Sequence, residues 1–380
     1  MTGRLKIAIV GPAHPFRGGI AHHTTLLYRH LRERHTVRHF AFLRQYPLWI
    51  YPAATDRDPS ATPLVEPGVE HVLDSMNPLT WLRVVHRVRH FAPDAVIIPW
   101  WVAFWAPQMA TISRLSRRGG RTRIVYLCHN VVEHESSGLR RFATRLALGS
   151  GDCFIVHSNE DRDNLERLLP GRPIFRAELP SLGEVAGNRC SREEARARLN
   201  LDPATPTLLF FGFVRPYKGL KHVLQAMPNI LAKRNVRLLV AGEFWHDRQE
   251  YLDLISRLGI EHAVTIVDRY VPNEEVRDLF AAADLVVQPY ETATQSGVTQ
   301  IAFDARRPVV VTSVGGLPET VRHGVTGYVV PPFDHQAIAD AVADFFDRDR
   351  AESMESAIEA DLVRFSWPSY IDAIELAITA

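Results

Sequence analysis

Along almost its whole length this chain alternates short, nearly continuous apolar runs with longer amphipathic stretches, and that alternation leaves few folds open. The apolar runs include residues 5–10, 95–98, 123–127, 153–156, 207–211, 236–240, 264–267, 285–287 and 308–311. Between the later ones, residues 219–234, 248–258 and 273–282 repeat apolar side chains at helical spacing. A strand that is apolar on both faces must be covered on both faces. Strands of this kind separated by helices therefore predict parallel sheets between helical layers. The pattern pauses over 178–206, where Pro180, Gly183 and Gly187 precede polar residues, and the pause predicts an interdomain linker. A single (β/α)₈ barrel also alternates strand and helix. The mid-chain break, and a glycine-rich loop in each half, favour two doubly wound α/β domains instead.

A length of 380 residues suits two domains, and 46% hydrophobic with 23% charged residues is an ordinary globular composition. No stretch reaches the roughly 18 apolar residues a spanning helix needs, and nothing ahead of the first strand resembles a secretory h-region. Cys128, Cys153 and Cys190 are odd in number and lack metal-ligand spacing, so reduced thiols in a cytoplasmic protein are expected, with neither a disulfide framework nor structural zinc. The net charge of +1 hides an asymmetry. Residues 1–185 carry 24 Lys and Arg against 16 Asp and Glu, whereas 186–380 carry 20 against 27. The basic half is expected to meet something anionic. Its arginines form no nucleic-acid motif, which leaves an anionic membrane surface or a phosphate-bearing acceptor. Residues 44–80, rich in proline and aromatics, interrupt the first half and are assigned to acceptor recognition or a lid.

Several loops sit where strands end and helices begin, the edge at which free backbone N–H groups and the helix dipole attract anions. Gly11–Gly19 follows the first strand and holds the pair Gly18-Gly19. It is no G-x-G-x-x-G fingerprint, which argues against a dinucleotide and a dehydrogenase. Gly212-Phe213-Val214-Arg215-Pro216-Tyr217-Lys218-Gly219 places two cations three residues apart, in a chain with only four lysines. Arg can fork onto a phosphate while Lys adds a point charge. Tyr290–Gly297 opens another helix, with Thr294, Gln295, Ser296 and Gly297 as either a second anion site or an ordinary N-cap. Gly315-Gly316-Leu317-Pro318-Glu319 repeats the theme, with Glu319 as dipole partner or ligand contact. His129 lies in Cys128-His129-Asn130-Val131-Val132-Glu133-His134-Glu135, which is no H-E-x-x-H, so a polar strand-end histidine is expected rather than a metal site. Trp100, Trp101 and Trp105 fall within six residues and are either core or a platform for a sugar ring or lipid.

Taken in order, these loops resemble the retaining GT-B glycosyltransferases of family 4, over nearly the whole chain. The resemblance rests on Gly18-Gly19 with His23 following, on His129, and on Gly212 with Arg215–Gly219. It also rests on Gly242-Glu243, Val271-Pro272-Asn273-Glu274-Glu275, Gly315–Glu319 and Phe365-Ser366-Trp367. It implies two Rossmann-like domains facing each other across a cleft. Residues 1–185 would form the acceptor side and 186–365 the nucleotide-sugar side, with helix 366–380 returning to the first. By the resemblance, Arg215 and Lys218 clamp the donor diphosphate, aided by the backbone amides of Gly19, Ser296 and Gly297, and Gly18 and Gly212 also count as donor-binding. Likewise His129 lines the sugar subsite, Tyr270 and Val271 border the base, and Glu243, Thr294, Gln295 and Glu319 complete the donor contacts. His23 and the three tryptophans fall to the acceptor. A hexose would pass from a UDP- or GDP-linked sugar to a saccharide or lipid-linked acceptor, with retention, without cofactor, metal or protein nucleophile. One departure stands out: the family's two glutamates eight residues apart are missing from 293–302. That leaves a non-catalytic partner subunit in polysaccharide or glycolipid assembly as the alternative.

Overall fold

The computed structural model describes all residues except 1–2, 48, 50, 52–54, 118–121, 132–137, 187–189 and 246. It divides into two compact units. One comprises Met1–Pro59, Pro63–Leu179 and Trp367–Ala380; the other comprises Ser60–Thr62 and Pro180–Ser366.

The first unit holds strands β1 (Lys6–Val10), β2 (Thr36–Arg44), β3 (Val69–Asp74), β4 (Ala95–Trp100), β5 (Arg123–Cys128), β6 (Cys153–Val156) and β7 (Ile174–Arg176). They form one sheet in the order β3-β2-β1-β4-β5-β6-β7, every pair parallel. Helices α1 (Gly19–Arg34), α2 (Pro78–Phe91), α3 (Ala106–Ser116), α4 (Gly138–Leu148) and α5 (Asn159–Leu168) connect them. In the second unit α6 (Gly183–Ala186) and α7 (Arg192–Arg198) precede β8 (Thr207–Phe211), α8 (Leu220–Leu231), β9 (Arg237–Ala241), α9 (Arg248–Leu258), β10 (Val264–Val267) and α10 (Asn273–Ala282). Then come β11 (Leu285–Gln288), α11 (Gly297–Asp304), β12 (Val309–Thr312), α12 (Leu317–Thr320), β13 (Gly327–Val330), α13 (His335–Asp347) and α14 (Ala351–Asp361). Strand order is β10-β9-β8-β11-β12-β13, again parallel throughout. The order reverses beside β1 in the first sheet and beside β8 in the second, the positions at which such sheets bind ligands. Separate apolar clusters cover the two faces of the second sheet, as continuous apolar strands require.

Three expectations need correction. The pause at 178–206 is no free linker. From Pro180 it belongs to the second unit, where α7 carries a capping box and a buried Arg196 whose guanidinium reaches Asp284 at 2.8 Å; its polar sequence reflects that anchoring. The boundary falls at 179/180 rather than 185/186, and Gly187 lies outside the described residues. The 44–80 excursion is shorter than expected, since 69–74 is β3 and α2 starts at Pro78. Within it, Ser60 accepts the Asn273 N–H at 2.9 Å and Glu274 accepts the Ala61 N–H at 2.9 Å, which ties these residues to the start of α10. Helix α15 (Trp367–Thr379) is part of the first unit: Cys153 donates its thiol to Ala377 O at 3.2 Å, and Trp367 stacks on His30 at 4.8 Å.

Burial of histidine makes this unit acid-sensitive. His39 and His157 are fully buried and burial lowers each to about 4, while burial holds His23 well below 6.5. Unfolding frees each ring to take a proton near 6.5. The stability these neutral rings contribute is therefore complete above that pH and lost as pH falls toward 4, roughly 3 kcal/mol for each of His39 and His157. Thermal unfolding across that interval should show a steep fall, made shallower in His157→Gln. A flat profile in the unsubstituted chain would refute the burial argument.

Candidate functional site

The site is built on the loop leaving β8. Its pairing with the loop after β9 continues beyond both strands: Gly212 N donates to Ala241 O at 2.9 Å, Val214 N to Glu243 O at 2.9 Å and Trp245 N to Val214 O at 3.3 Å. Gly242, at φ +154°, faces the Gly212 carbonyl so closely that a Cβ would overlap it. The chain then makes a tight turn over Pro216–Lys218 and enters α8 through Gly219, at φ +68°. Gly219 lies against the Pro289 carbonyl with no room for a Cβ, and Glu291 N donates to Tyr217 O at 2.7 Å. These contacts weld the β8 loop to the loop after β11.

That weld places Lys218 over Tyr290. Its ammonium donates to Tyr290 Oη at 2.8 Å and lies 4.3 Å from the ring centre. Burial, with a smaller push from Arg215, lowers the Lys218 ammonium below its ordinary 10.5. Ser296 Oγ stands 3.4 Å from Tyr290 Oη and donates to Gln288 Oε1 at 2.6 Å. Its hydroxyl is thus spent on Gln288, and Ser296 makes no side-chain cap on α11, which starts at Gly297. Arg215 points the other way, its guanidinium 3.7 Å from the centre of the Trp245 ring and its Nε buried without a hydrogen-bond acceptor. Among the described residues no carboxylate pairs with Arg215 or Lys218, whereas nearby Lys221 meets Glu291 at 2.8 Å. Two adjacent cations without counter-ions at the carboxyl edge of a parallel sheet make an anion site.

The remaining residues of this unit gather at the same edge. Gly316 N donates to Thr294 O at 2.9 Å, so the loop after β12, which carries Glu319 on α12, abuts the loop with Thr294 and Gln295. Gln295 accepts from Thr320 Oγ1 at 3.4 Å. Glu243 accepts the Trp245 indole N–H at 3.3 Å. Tyr270 lies 6.0 Å from Phe213 across ring centres, and Val271 is buried in the core. Glu291 is held by Lys221 and by His222 at 2.9 Å, turned toward α8.

In the first unit Gly18 precedes α1 at φ +109° without a side-chain cap, and Gly19 starts the helix. His23, one turn on, is buried beside His129, their ring centres 4.8 Å apart. His157, which leaves β6 as His129 leaves β5, joins them at 5.3 Å from His129, and Tyr370 of α15 packs 5.5 Å from His23. No sugar platform forms from Trp100 and Trp105: each is only 1% exposed, in the core against Tyr126 and Phe42. Large apolar rings at the end of a central strand fill the layer above it before they reach solvent. Trp101 is half-buried, its indole donating to Tyr46 Oη at 3.2 Å. Glu133, His134 and Glu135 lie outside the described residues; among the described ones no group of three or more His, Cys, Asp or Glu is arranged to hold a metal ion. No helix of the described residues is long and apolar enough to cross a membrane. Sequence reasoning gave no role to Trp245, Gln288 or His157; a polar residue ending an apolar strand was the available signal for Gln288 and His157.

Residues 205–348 match the family model described as glycosyl transferases group 1. A D-inositol 3-phosphate glycosyltransferase of Nocardia farcinica is 30% identical over 282 residues, 67% of this chain and 60% of that relative. One from Corynebacterium diphtheriae is 27% identical over 252 residues, 63% of this chain and 59% of the relative. The chain thus spans about three fifths of the length of these curated relatives. Among solved structures, Anabaena HepE in complex with UDP superposes with a TM-score of 0.73 at 19% identity, covering 99% of both chains. A glycosyltransferase from Rickettsia africae gives 0.74 at 16% identity, covering 99% of this chain and 98% of that one. At these identities the structures establish the fold, the GT-B architecture of two parallel α/β sheets.

The weld at Gly219 has a measurable consequence. Any side chain there must hold a left-handed backbone and displace the Pro289 carbonyl. Gly219→Ala should cost at least about 1–2 kcal/mol in thermal or urea unfolding. Undiminished stability would mean that the two loops are not packed as described.

Proposed function

We propose that this chain, which belongs to the glycosyl transferases group 1 through residues 205–348, moves a hexose from a UDP- or GDP-linked donor to a saccharide or lipid-linked acceptor with retention. The observation that carries the reading is the pair of cations without counter-ions among the described residues, Arg215 and Lys218, at the carboxyl end of β8. A departing nucleoside diphosphate develops negative charge on its bridging oxygen. Fixed positive groups that meet it stabilise the transition state more than the ground state. The open N-terminus of α11, at Ser296 and Gly297, adds backbone N–H groups for the same phosphates. Tyr270, Val271 and Glu243 are assigned to base and ribose. Gly18, Gly19 and His129 are likewise assigned to the donor, and His23 orients His129. Arg215 and Lys218 supply the positive charge, so transfer should persist in a chelator.

A non-catalytic partner role has one observation in its favour. Glu291, the carboxylate nearest the place of the missing glutamate pair, is already held by Lys221 and His222. Turnover separates the two readings. In the catalytic reading, Arg215→Ala and Lys218→Ala each weaken nucleoside diphosphate binding about ten- to a hundred-fold, the value of a charge-assisted hydrogen bond. Both abolish transfer and leave the melting temperature of the free protein unchanged. A panel of UDP, GDP, ADP and dTDP in thermal unfolding identifies the base, since a ligand at a hundred times its Kd stabilises by about 2.7 kcal/mol. Affinity should fall with rising pH before 10.5, because Lys218 loses its proton early, and Lys218→Arg should remove that fall. Undiminished transfer in both alanine variants would end the site assignment. Diphosphate binding without turnover toward any acceptor would favour the partner role.

For the acceptor side we propose peripheral contact with an anionic membrane, supported by α4. Its Leu139, Phe142 and Leu146 are 78%, 64% and 40% exposed. They sit among exposed Arg140, Arg141 and Arg145 on a helix without an acidic residue. Apolar residues flanked by arginines suit an interfacial helix, each cation adding about 1 kcal/mol near anionic lipid. Vesicles rich in phosphatidylglycerol should sediment the protein and neutral vesicles should not. Leu139→Ser with Phe142→Ser should release it; unaltered sedimentation would dismiss α4 as the contact.

A further inference from the structure

Both cations of the site are held by aromatic rings instead of carboxylates, and for Arg215 the ring comes from a different loop. Its guanidinium lies over Trp245 at 3.7 Å. A carboxylate partner would fix the arginine but cancel its charge and occupy its N–H donors. A ring face fixes it through the plane of the guanidinium and leaves every N–H along the edge free for an anion. The buried Nε of Arg215 has no hydrogen-bond acceptor within the protein, so the ring has replaced a carboxylate without satisfying the guanidinium's donors.

Trp245 is itself rigidly seated. Its indole N–H donates to Glu243 at 3.3 Å, its backbone N–H to Val214 O at 3.3 Å, and its ring packs on Phe213 at 4.6 Å. Val214 and Phe244 form a parallel bridge, so the residues preceding Arg215 and Trp245 are locked in register. The ring and the arginine it carries are therefore mounted on one piece of backbone.

We infer that Trp245 is a positioning residue. It holds the Arg215 guanidinium, edge outward, so that the donor's diphosphate meets an arginine whose rotamer freedom is already spent. The inference rests on the reading of Arg215 as a diphosphate-binding group. It differs from a base-stacking role, in which Trp245 would contact the nucleoside and the phosphates would be indifferent to it.

Calorimetric titration of the whole protein with UDP, GDP, ADP and dTDP, and with the nucleoside of whichever binds, separates these roles. Trp245→Ala should weaken the diphosphate about two- to thirty-fold, the span of a cation–π contact, and leave the nucleoside's affinity unchanged. Trp245→Phe, which keeps a ring face, should recover most of the loss and also controls for folding. Added to Arg215→Ala, the Trp245→Ala change should cost nothing further. Equal weakening of nucleoside and diphosphate, or full additivity with Arg215→Ala, would overturn the inference while leaving the diphosphate site intact. If the unsubstituted protein binds none of the four diphosphates, the reading of Arg215 fails and this inference with it.

Discussion

All strands of each sheet run in one direction, and this constraint governs where chemistry can reside in the chain. A parallel strand cannot turn back into its neighbour, so every strand delivers its carboxyl end to one edge and a helix must carry the chain to the other. The helices consequently begin where the strands end, and their free N–H groups collect along that edge. In the second unit the loops after β8, β9, β11 and β12 then bond to one another through backbone, as Val214 to Glu243, Glu291 to Tyr217 and Gly316 to Thr294 show. Side chains mounted on such loops inherit the rigidity of the sheet.

The same unit contains cations of two kinds, and the contrast explains their placement. Arg196 is buried and fully committed, reaching Asp284 and the Ala282 and Pro203 carbonyls; it joins α7 to the sheet. Lysine or arginine in that role is electrically silent from outside. Arg215 and Lys218 are held just as firmly, but by Trp245 and Tyr290, so their charge stays uncompensated. The desolvation that lowers Lys218 also raises the value of any anion that replaces the missing counter-ion.

What could be read from the sequence follows from the range of the forces involved. Central strands such as β4, β5 and β8 are apolar on both faces and announce themselves. Strands β3 and β7 lie at sheet edges with mixed residues, β2 opens on Thr36, Arg38 and His39 before its apolar Phe40–Leu43, and β13 is only the four residues Gly327–Val330, so each is easily passed over. Glycine loops were legible because a close backbone approach admits only one residue type, as Gly219 against Pro289 illustrates. The partners of the functional side chains were not. Tyr290 stands 72 residues from Lys218, and His23, His129, His157 and Tyr370 meet only after the sheet and α15 have closed. The tryptophans at 100–105 misled for a related reason. Composition shows that rings are present, and only the layer above β4 determines that two of them face inward.

Helix α15 gives the molecule an order of assembly. The sheet of the first unit is complete in sequence at β7, yet Cys153, His30 and His23 find their partners Ala377, Trp367 and Tyr370 only on a helix synthesised after the whole second unit. On a ribosome, therefore, the first sheet must wait without this helix, its His23 and His30 lacking their ring partners, while some 190 further residues emerge. Vectorial synthesis thus makes the unit that begins first the last to be finished.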